Sequence, residues 1–446
     1  MEYATNFIWG AASASYQIEG GWKEGGKGLS IWDVFSHTPG KVSQGDTGDV
    51  ACNHYFDFQK DIEIMKELNI EHYRFSISWP RIVPDGDGAV NPEGLAYYDA
   101  LVNALLANGI TPFITLYHWD LPQALQDKGG WLNREIVTAF ARYAEIIVTH
   151  FADRVSNYMT INEPQCIAFL GYKEGLHAPG LQLDNYQVMK VFHHLAMAHG
   201  AAVKSMRSAS EKPLQIGFAA TGKLCYPSEE TPENLDLARK LTFTIDPDKW
   251  GFSHHIFADG ILKGIYPDLS SILDPAMIDF ILPEDMQLMC QPIEFYGVNV
   301  YNGSEVSTTV PDYYVPKYAG FPKTALKWPI TPEVMNWGLR ILYERYQLPI
   351  IISENGLSCN DKIYRDQQVH DIERIDFLSS YLSEMELAID AGTPVIGYFH
   401  WALTDNFEWH SGYDERFGLV YIDYRNQNRI IKDSGYWYAD YMKCKS

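Results

Sequence analysis

The sequence predicts an α/β fold of the closed (β/α)8 barrel type. Two observations carry that reading. Eight short apolar runs recur along the 446 residues, and amphipathic stretches with helical spacing separate most of them. No low-complexity or Ser/Gly-rich linker divides the chain, so residues 1–446 are expected to form one domain. A chain of this length would ordinarily split into two or three domains, but one barrel can absorb long loop insertions.

The runs are FIWGAA (7–12), HYRFSIS (72–78), TPFITLY (111–117) and NYMTINE (157–163). They continue with LQIGFAA (214–220), FYGVNVY (295–301), PIIISEN (349–355) and PVIGYFHW (394–401). Residues 56–68, 93–108, 133–152, 187–209, 331–346 and 368–391 carry the helical spacing. Near-continuous apolar strands between helices describe a parallel sheet buried on both faces. Barrel closure is its economical form, and a doubly wound open sheet is the alternative. The longest interval, about 220–295, has room for extra helices and a loop.

Composition narrows the function. The formal net charge is −22, which opposes nucleic acid or an anionic membrane as partner, since both require basic patches. No apolar stretch reaches the length of a transmembrane helix. The start, MEYATNFIWGAASASYQIEG, lacks a basic segment followed by an apolar run, so no signal peptide is read there. Cys52, Cys166, Cys225, Cys290, Cys359 and Cys444 are scattered without a C-x-x-C pair. Reduced thiols and a cytoplasmic location are therefore expected, rather than a disulfide framework or a zinc site. Twelve Trp and twenty-nine Tyr offer flat faces with polar edges, suited to a sugar ring or to a Tyr-rich core.

The strand ends are unusually rich in chemistry. Strand two reaches Arg74, and strand three ends in Tyr-His-Trp-Asp (117–120). Strand four ends in Asn-Glu-Pro (162–164), strand six in Asn-Val-Tyr (299–301), strand seven in Ser-Glu-Asn (353–355) and strand eight in His-Trp (400–401). In a barrel these ends converge on one mouth, where barrel active sites lie.

Glu163 and Glu354 are the charged groups at the ends of strands four and seven. A buried carboxylate is costly unless it is paired, hydrogen-bonded or protonated. Glycosidic bond cleavage uses two such groups, one protonated to donate to the leaving oxygen and one ionised. Pro164 is expected to hold Glu163 extended. Arg74 and Tyr301 are placed to keep Glu354 ionised by charge and hydrogen bonding.

These residues stand in blocks that resemble the family 1 glycoside hydrolases, the β-glucosidase/β-galactosidase group, over essentially the whole length. The blocks include Phe7-Ile8-Trp9-Gly10 with Ser15-Tyr16-Gln17-Ile18-Glu19-Gly20, and Tyr73 to Arg81. They continue with Leu116 to Pro122, Thr160-Ile161-Asn162-Glu163-Pro164, Ile352-Ser353-Glu354-Asn355-Gly356 and Trp401 to Trp409. The resemblance implies a (β/α)8 barrel and a two-step retaining mechanism without metal or cofactor. Glu354 would be the nucleophile and Glu163 the acid/base. Gln17, His118, Trp119, Asn162, Asn299, Glu408 and Trp409 would contact the sugar hydroxyls, and Trp401 would form the floor under the ring. Small β-glycosides and oligosaccharides are the implied substrates.

One position departs from the family pattern. The usual Trp after Asn-Glu-Pro is Gln165 here, which would weaken stacking on the leaving-group side. Trp328 is the candidate platform for that side. Three rival functions remain distinguishable. A 6-phospho-β-glycosidase is disfavoured because Glu408 would repel the phosphate, and a catalytically inactive sugar-binding barrel would lack one of the two glutamates. A barrel metallohydrolase is invited by His193, His194 and His199, which lack the H-E-x-x-H pattern and lie on an expected outer helix.

Overall fold

The computed structural model describes residues 7–445, so the first six residues of the stretch read for a leader lie outside it. Eight parallel strands close into a barrel. They are β1 Ile8–Ala12, β2 His72–Ser76, β3 Thr111–Tyr117, β4 Asn157–Asn162, β5 Gln215–Ala220, β6 Tyr296–Asn299, β7 Ile350–Asn355 and β8 Val395–Trp401. Each strand pairs with its neighbours in sequence, and β1 closes the ring by pairing with both β2 and β8. The register aligns Ala12 with Arg74 on one side and with Trp401 on the other, and Asn299 with Glu354. The predicted strands agree with these to within three residues, and β3 agrees at both ends. β6 is the shortest match because the chain leaves the sheet before Tyr301 to reach the mouth.

Helices form where the apolar spacing places them. Pro92–Ala107 begins with Pro at its first turn behind the Asn91 cap, and Asn185–Ala209 begins with the Asp184 side chain accepting from Gln187 N–H at 2.8 Å. The helix expected over 368–391 starts at Ile372 instead, because Asp371 turns its carboxylate to Arg374 and Ser434. The interval after β5 holds the helices Pro232–Thr242, His254–Lys263 and Pro283–Met289, with a short strand, Cys225–Pro227, paired in parallel to Ser304–Val306. A C-terminal hairpin, Val420–Asp423 with Asn428–Ile431, and a final helix, Asp433–Lys445, complete the described chain. No helix among the described residues is long and apolar enough to cross a membrane.

The core has two layers. Phe113, Met159, Ala219, Phe295, Ile351 and Phe399 belong to a cluster that fills the barrel interior, and a larger cluster joins the strands to the surrounding helices. His193, His194 and His199 lie in the second layer and turn to separate neighbours, Asp285 and Tyr266, Trp131 C=O, and the Thr160 hydroxyl.

A buried ion network ties the far end of the chain to the loop after β8. Asp405 accepts from Lys432 Nζ at 2.6 Å, Arg416 Nη1 at 2.6 Å and Gly418 N–H at 3.0 Å. Lys432 also donates to Asp361 at 2.5 Å, and Arg374 donates to Asp361 at 2.8 Å and pairs with Asp371. The carboxylates of Asp361, Asp371 and Asp405 balance the cations of Arg374, Arg416 and Lys432. Such groups are tolerated away from water because each is paired and hydrogen-bonded.

Candidate active site

Glu354 is built into β7 and held from two directions. Arg74 Nη1 donates to its Oε1 at 2.7 Å, and the Tyr301 hydroxyl donates to its Oε2 at 2.7 Å. Gly356 permits the approach of the next strand: a Cβ there would lie 1.8 Å from the Trp401 carbonyl oxygen. Arg74 is itself fixed, with Nε donating to the Thr115 hydroxyl at 3.0 Å and Nη2 to Asn162 Oδ1 at 2.7 Å.

Glu163 follows β4 and starts the turn Pro164–Cys166. The expected extended conformation is corrected: its φ is 46° and ψ 67°, in the left-handed region. Its N–H donates to Ala219 C=O at 2.7 Å, and its Oε1 accepts from Asn299 Nδ2 at 2.9 Å. Those two anchors hold a conformation that a non-glycine residue rarely adopts. Trp119 (φ 80°) and Trp409 (φ 52°) share it, so three left-handed residues cluster at one mouth.

Burial, and then the neighbouring Glu354, push the Glu163 carboxyl up to about 7. Arg74 and Tyr301 act on Glu354 in the expected direction, yet its carboxyl is raised on balance. Burial raises it, while Arg74 and the hydrogen bonds from Tyr301, Arg74 and Asn299 pull it back. The guanidinium contacts Glu354 directly, so a proton held by the pair rests on Glu163. Burial and the nearby carboxylates, Glu354 first, raise Glu408 to about 8. The repulsion expected for a phosphate is accordingly weaker than a formal charge implies. Arg74, the guanidinium at the mouth, is committed to Glu354 and Asn162 and is not a phosphate ligand.

The remaining sequence-predicted residues surround this pair. Asn162 Nδ2 meets His118 Nε2 at 3.0 Å, and Asn299 Nδ2 reaches Asn162 Oδ1 at 3.2 Å. Gln17 Nε2 donates to Phe407 C=O at 2.8 Å, Asn406 Oδ1 at 3.0 Å and Glu408 Oε2 at 3.5 Å. Gln17 Oε1 and His118 Nδ1 are buried without a hydrogen-bond partner among the described residues, which suits them to hydroxyl groups. Trp409 packs 4.5 Å from Trp119 and 4.6 Å from Trp32, ring centre to ring centre. Trp401 lies nearly parallel to His118, its peptide bond to Ala402 being cis.

A cavity of about 860 Å³ opens over the pair and takes in His118, Trp119, Asn162, Asn299, Tyr301, Trp401, Glu408 and Trp409. Trp328 lines its wall beside Tyr301 and Phe417, with ring centres 5.3 and 6.3 Å away. Gln165 does not line it. Its side chain is fully buried behind Thr221, whose N–H donates to Gln165 Oε1 at 3.3 Å. The neighbour that does reach the cavity is Cys166, one residue further along the turn. Asn302 and Phe417 also line the cavity; nothing in their local sequence marks them, since both arrive on loops.

Comparison with known proteins identifies the family. The pattern of glycosyl hydrolase family 1 matches residues 1–446. Beta-glucosidase A of Thermotoga maritima is 44% identical over 449 residues, covering 99% of this chain and 98% of that protein. The bifunctional beta-D-glucosidase/beta-D-fucosidase of Bifidobacterium breve is 37% identical over 470 residues, covering 99% of this chain and 98% of that protein. The solved structure of the Thermotoga maritima beta-glucosidase in complex with noeuromycin superposes with a TM-score of 0.91 at 43% identity, covering 100% of this chain and 99% of that one. The barrel, its full-length match and this degree of identity place the chain in glycosyl hydrolase family 1.

Proposed function

We propose that this chain is a retaining β-glucosidase that removes non-reducing-end β-D-glucosyl residues from small glycosides and oligosaccharides. The unequal partnering of the two carboxyls carries the reading. Glu354, touched by Arg74 and Tyr301, attacks the anomeric carbon as a carboxylate. Glu163, raised toward neutrality, protonates the leaving oxygen. Once the leaving group departs, Glu163 is ionised and takes a proton from the water that hydrolyses the glycosyl–enzyme ester. Asn162, bridging Arg74 and His118, is assigned to the 2-hydroxyl, where hydrogen bonds strengthen in the transition state. Gln17, His118, Trp119, Asn299, Glu408 and Trp409 are assigned to the other sugar contacts, Trp401 to the floor and Trp328 to the leaving-group side.

The relatives support the sugar and the substrate size. Those of Thermotoga neapolitana are described as 1,4-beta-D-glucan glucohydrolase, which fits a role in breaking down cellulose-derived oligosaccharides. The Bifidobacterium breve relative acts on fucosides too, and we read this chain as tolerant of β-fucosides and β-galactosides. We further read residues 1–446 as one catalytic domain and its location as cytoplasmic, a reading that the six free cysteines support. The test is hydrolysis of an aryl β-glycoside panel by the wild type and Glu354→Ala, with the anomer followed by NMR. A β-anomer formed first by the wild type, and loss of turnover in the variant, are expected. An α-anomer formed first, or full activity in the variant, overturns the assignment.

A further inference from the structure

Two ammonium groups stand on the cavity wall of a chain whose net charge is −22. Lys223 and Lys249 belong to the segment between β5 and β6, and both line the cavity where its walls become exposed. Lys223 is half-buried, and its Nζ donates to Thr244 C=O at 3.0 Å and to the Tyr314 hydroxyl at 3.4 Å. Both of those acceptors are neutral. Among the described residues no carboxylate forms an ion pair with Lys223 or Lys249. Asp246 and Glu174 face the same cavity from exposed positions, where water solvates them, and Asp246 Oδ1 is taken up by Asp248 N–H at 3.0 Å.

Held directly by neutral oxygens, the Lys223 ammonium feels the exposed Asp246 carboxylate only without an ion-pair contact, which offsets its lost hydration in part. Burial lowers the Lys223 ammonium below its usual value and outweighs the opposing pull of Cys225 and Asp246. An anion arriving in the cavity would supply the missing partner through charge-assisted hydrogen bonds. Trp328 and Tyr314, on the same cavity wall, offer aromatic faces to a flat group carrying that anion. The inner end offers an anion no free cation, since Arg74 is committed to Glu354 and Asn162, so the charge must enter on the leaving group.

We propose that the outer cavity selects β-glucosides whose aromatic leaving group bears a carboxylate, with Lys223 and Lys249 as the groups that recognise it. This rests on the β-glucosidase reading above. The experiment compares kcat/KM for the β-glucoside of 4-hydroxycinnamic acid with that of its primary amide. The enzymes are the wild type, Lys223→Met, Lys223→Arg and Lys249→Gln. Comparing the carboxylate-to-amide ratio between enzymes cancels the intrinsic reactivity of the two leaving groups. The ratio is expected to fall about tenfold in Lys223→Met, the size of one charge-assisted hydrogen bond. It should be retained in Lys223→Arg, fall by a smaller factor in Lys249→Gln, and shrink in the wild type at about 0.5 M NaCl. A ratio in the wild type that is insensitive to salt, or one unchanged by both Lys223→Met and Lys249→Gln, overturns the proposal. If Lys223→Met does not fold, Lys249→Gln and the salt dependence decide between the same two outcomes. Failure of the wild type on the amide substrate as well would overturn the β-glucosidase reading instead.

Discussion

Arg74 Nη1 donates to Glu354 Oε1 across 2.7 Å, whereas Glu163 accepts from the neutral amide of Asn299 at 2.9 Å. The positive charge thus touches one member of the pair. Replacing Arg74 by Met removes the contact that most directly opposes burial at Glu354, so that carboxyl should hold its proton to higher pH. The acid limb of the kcat/KM profile is expected to move up by about one unit or more, with a loss of about a hundredfold at the optimum. An acid limb that stays in place would remove Arg74 from this role.

The wild-type profile of kcat/KM should be bell-shaped. Activity needs Glu163 protonated, and its carboxyl is raised to about 7, so the rate falls as pH rises through that value. Glu163→Gln should lose the basic limb. It should also slow alkyl glucosides far more than dinitrophenyl glucosides, whose leaving groups need no proton. Equal losses on both would count against Glu163 as the acid.

Trp328 should matter for the leaving group rather than for the sugar. In Trp328→Ala the KM for aryl glucosides is expected to rise about fivefold, with little change in the hydrolysis of the glycosyl–enzyme measured by pre-steady-state burst. A change confined to the second step would place Trp328 elsewhere.

Stability should decline on mild acidification. Burial holds His199, His254 and His400 at about 3, and His194 at about 4. Below about 6.5 the unfolded chain binds protons that these buried rings refuse, so each contributes a loss of about 1.4 kcal/mol per pH unit until its folded value is reached. Urea midpoints should fall between pH 6.5 and 4, and His199→Gln should flatten the slope. A flat wild-type profile over that window would contradict this.

Lys432→Met leaves Asp405 and Asp361 each short of a cation. A loss of about 3–5 kcal/mol is expected by urea denaturation, and adding Asp405→Asn should recover part of it. Strictly additive losses would show that the two do not act as a pair.

Much of this was legible in the sequence because it is local. Strand β3 was predicted residue for residue, since an apolar run between a glycine-containing turn and a polar segment leaves little freedom. Glu163, Glu354, Arg74 and Tyr301 were placed together by the convergence of strand ends, which barrel geometry enforces. What escaped depended on a single turn or on distant partners. The side chain of Gln165 points away from the cavity because residue 163 adopts a left-handed conformation, a reversal that no spacing announces. The upward shift of Glu408 comes from burial first and then from carboxyls that include Glu354, 54 positions away in sequence. The ion network was invisible for the same reason, since its members are spread over five segments.

That network also sets a timetable. Asp405 lies between Trp401 and Trp409, and its cationic partners Arg416 and Lys432 come from the last stretch of the chain. A growing polypeptide that has already extruded all eight strands still lacks the clasp on this loop. Ribosome-stalled chains should therefore acquire activity only after residue 432 has cleared the exit tunnel.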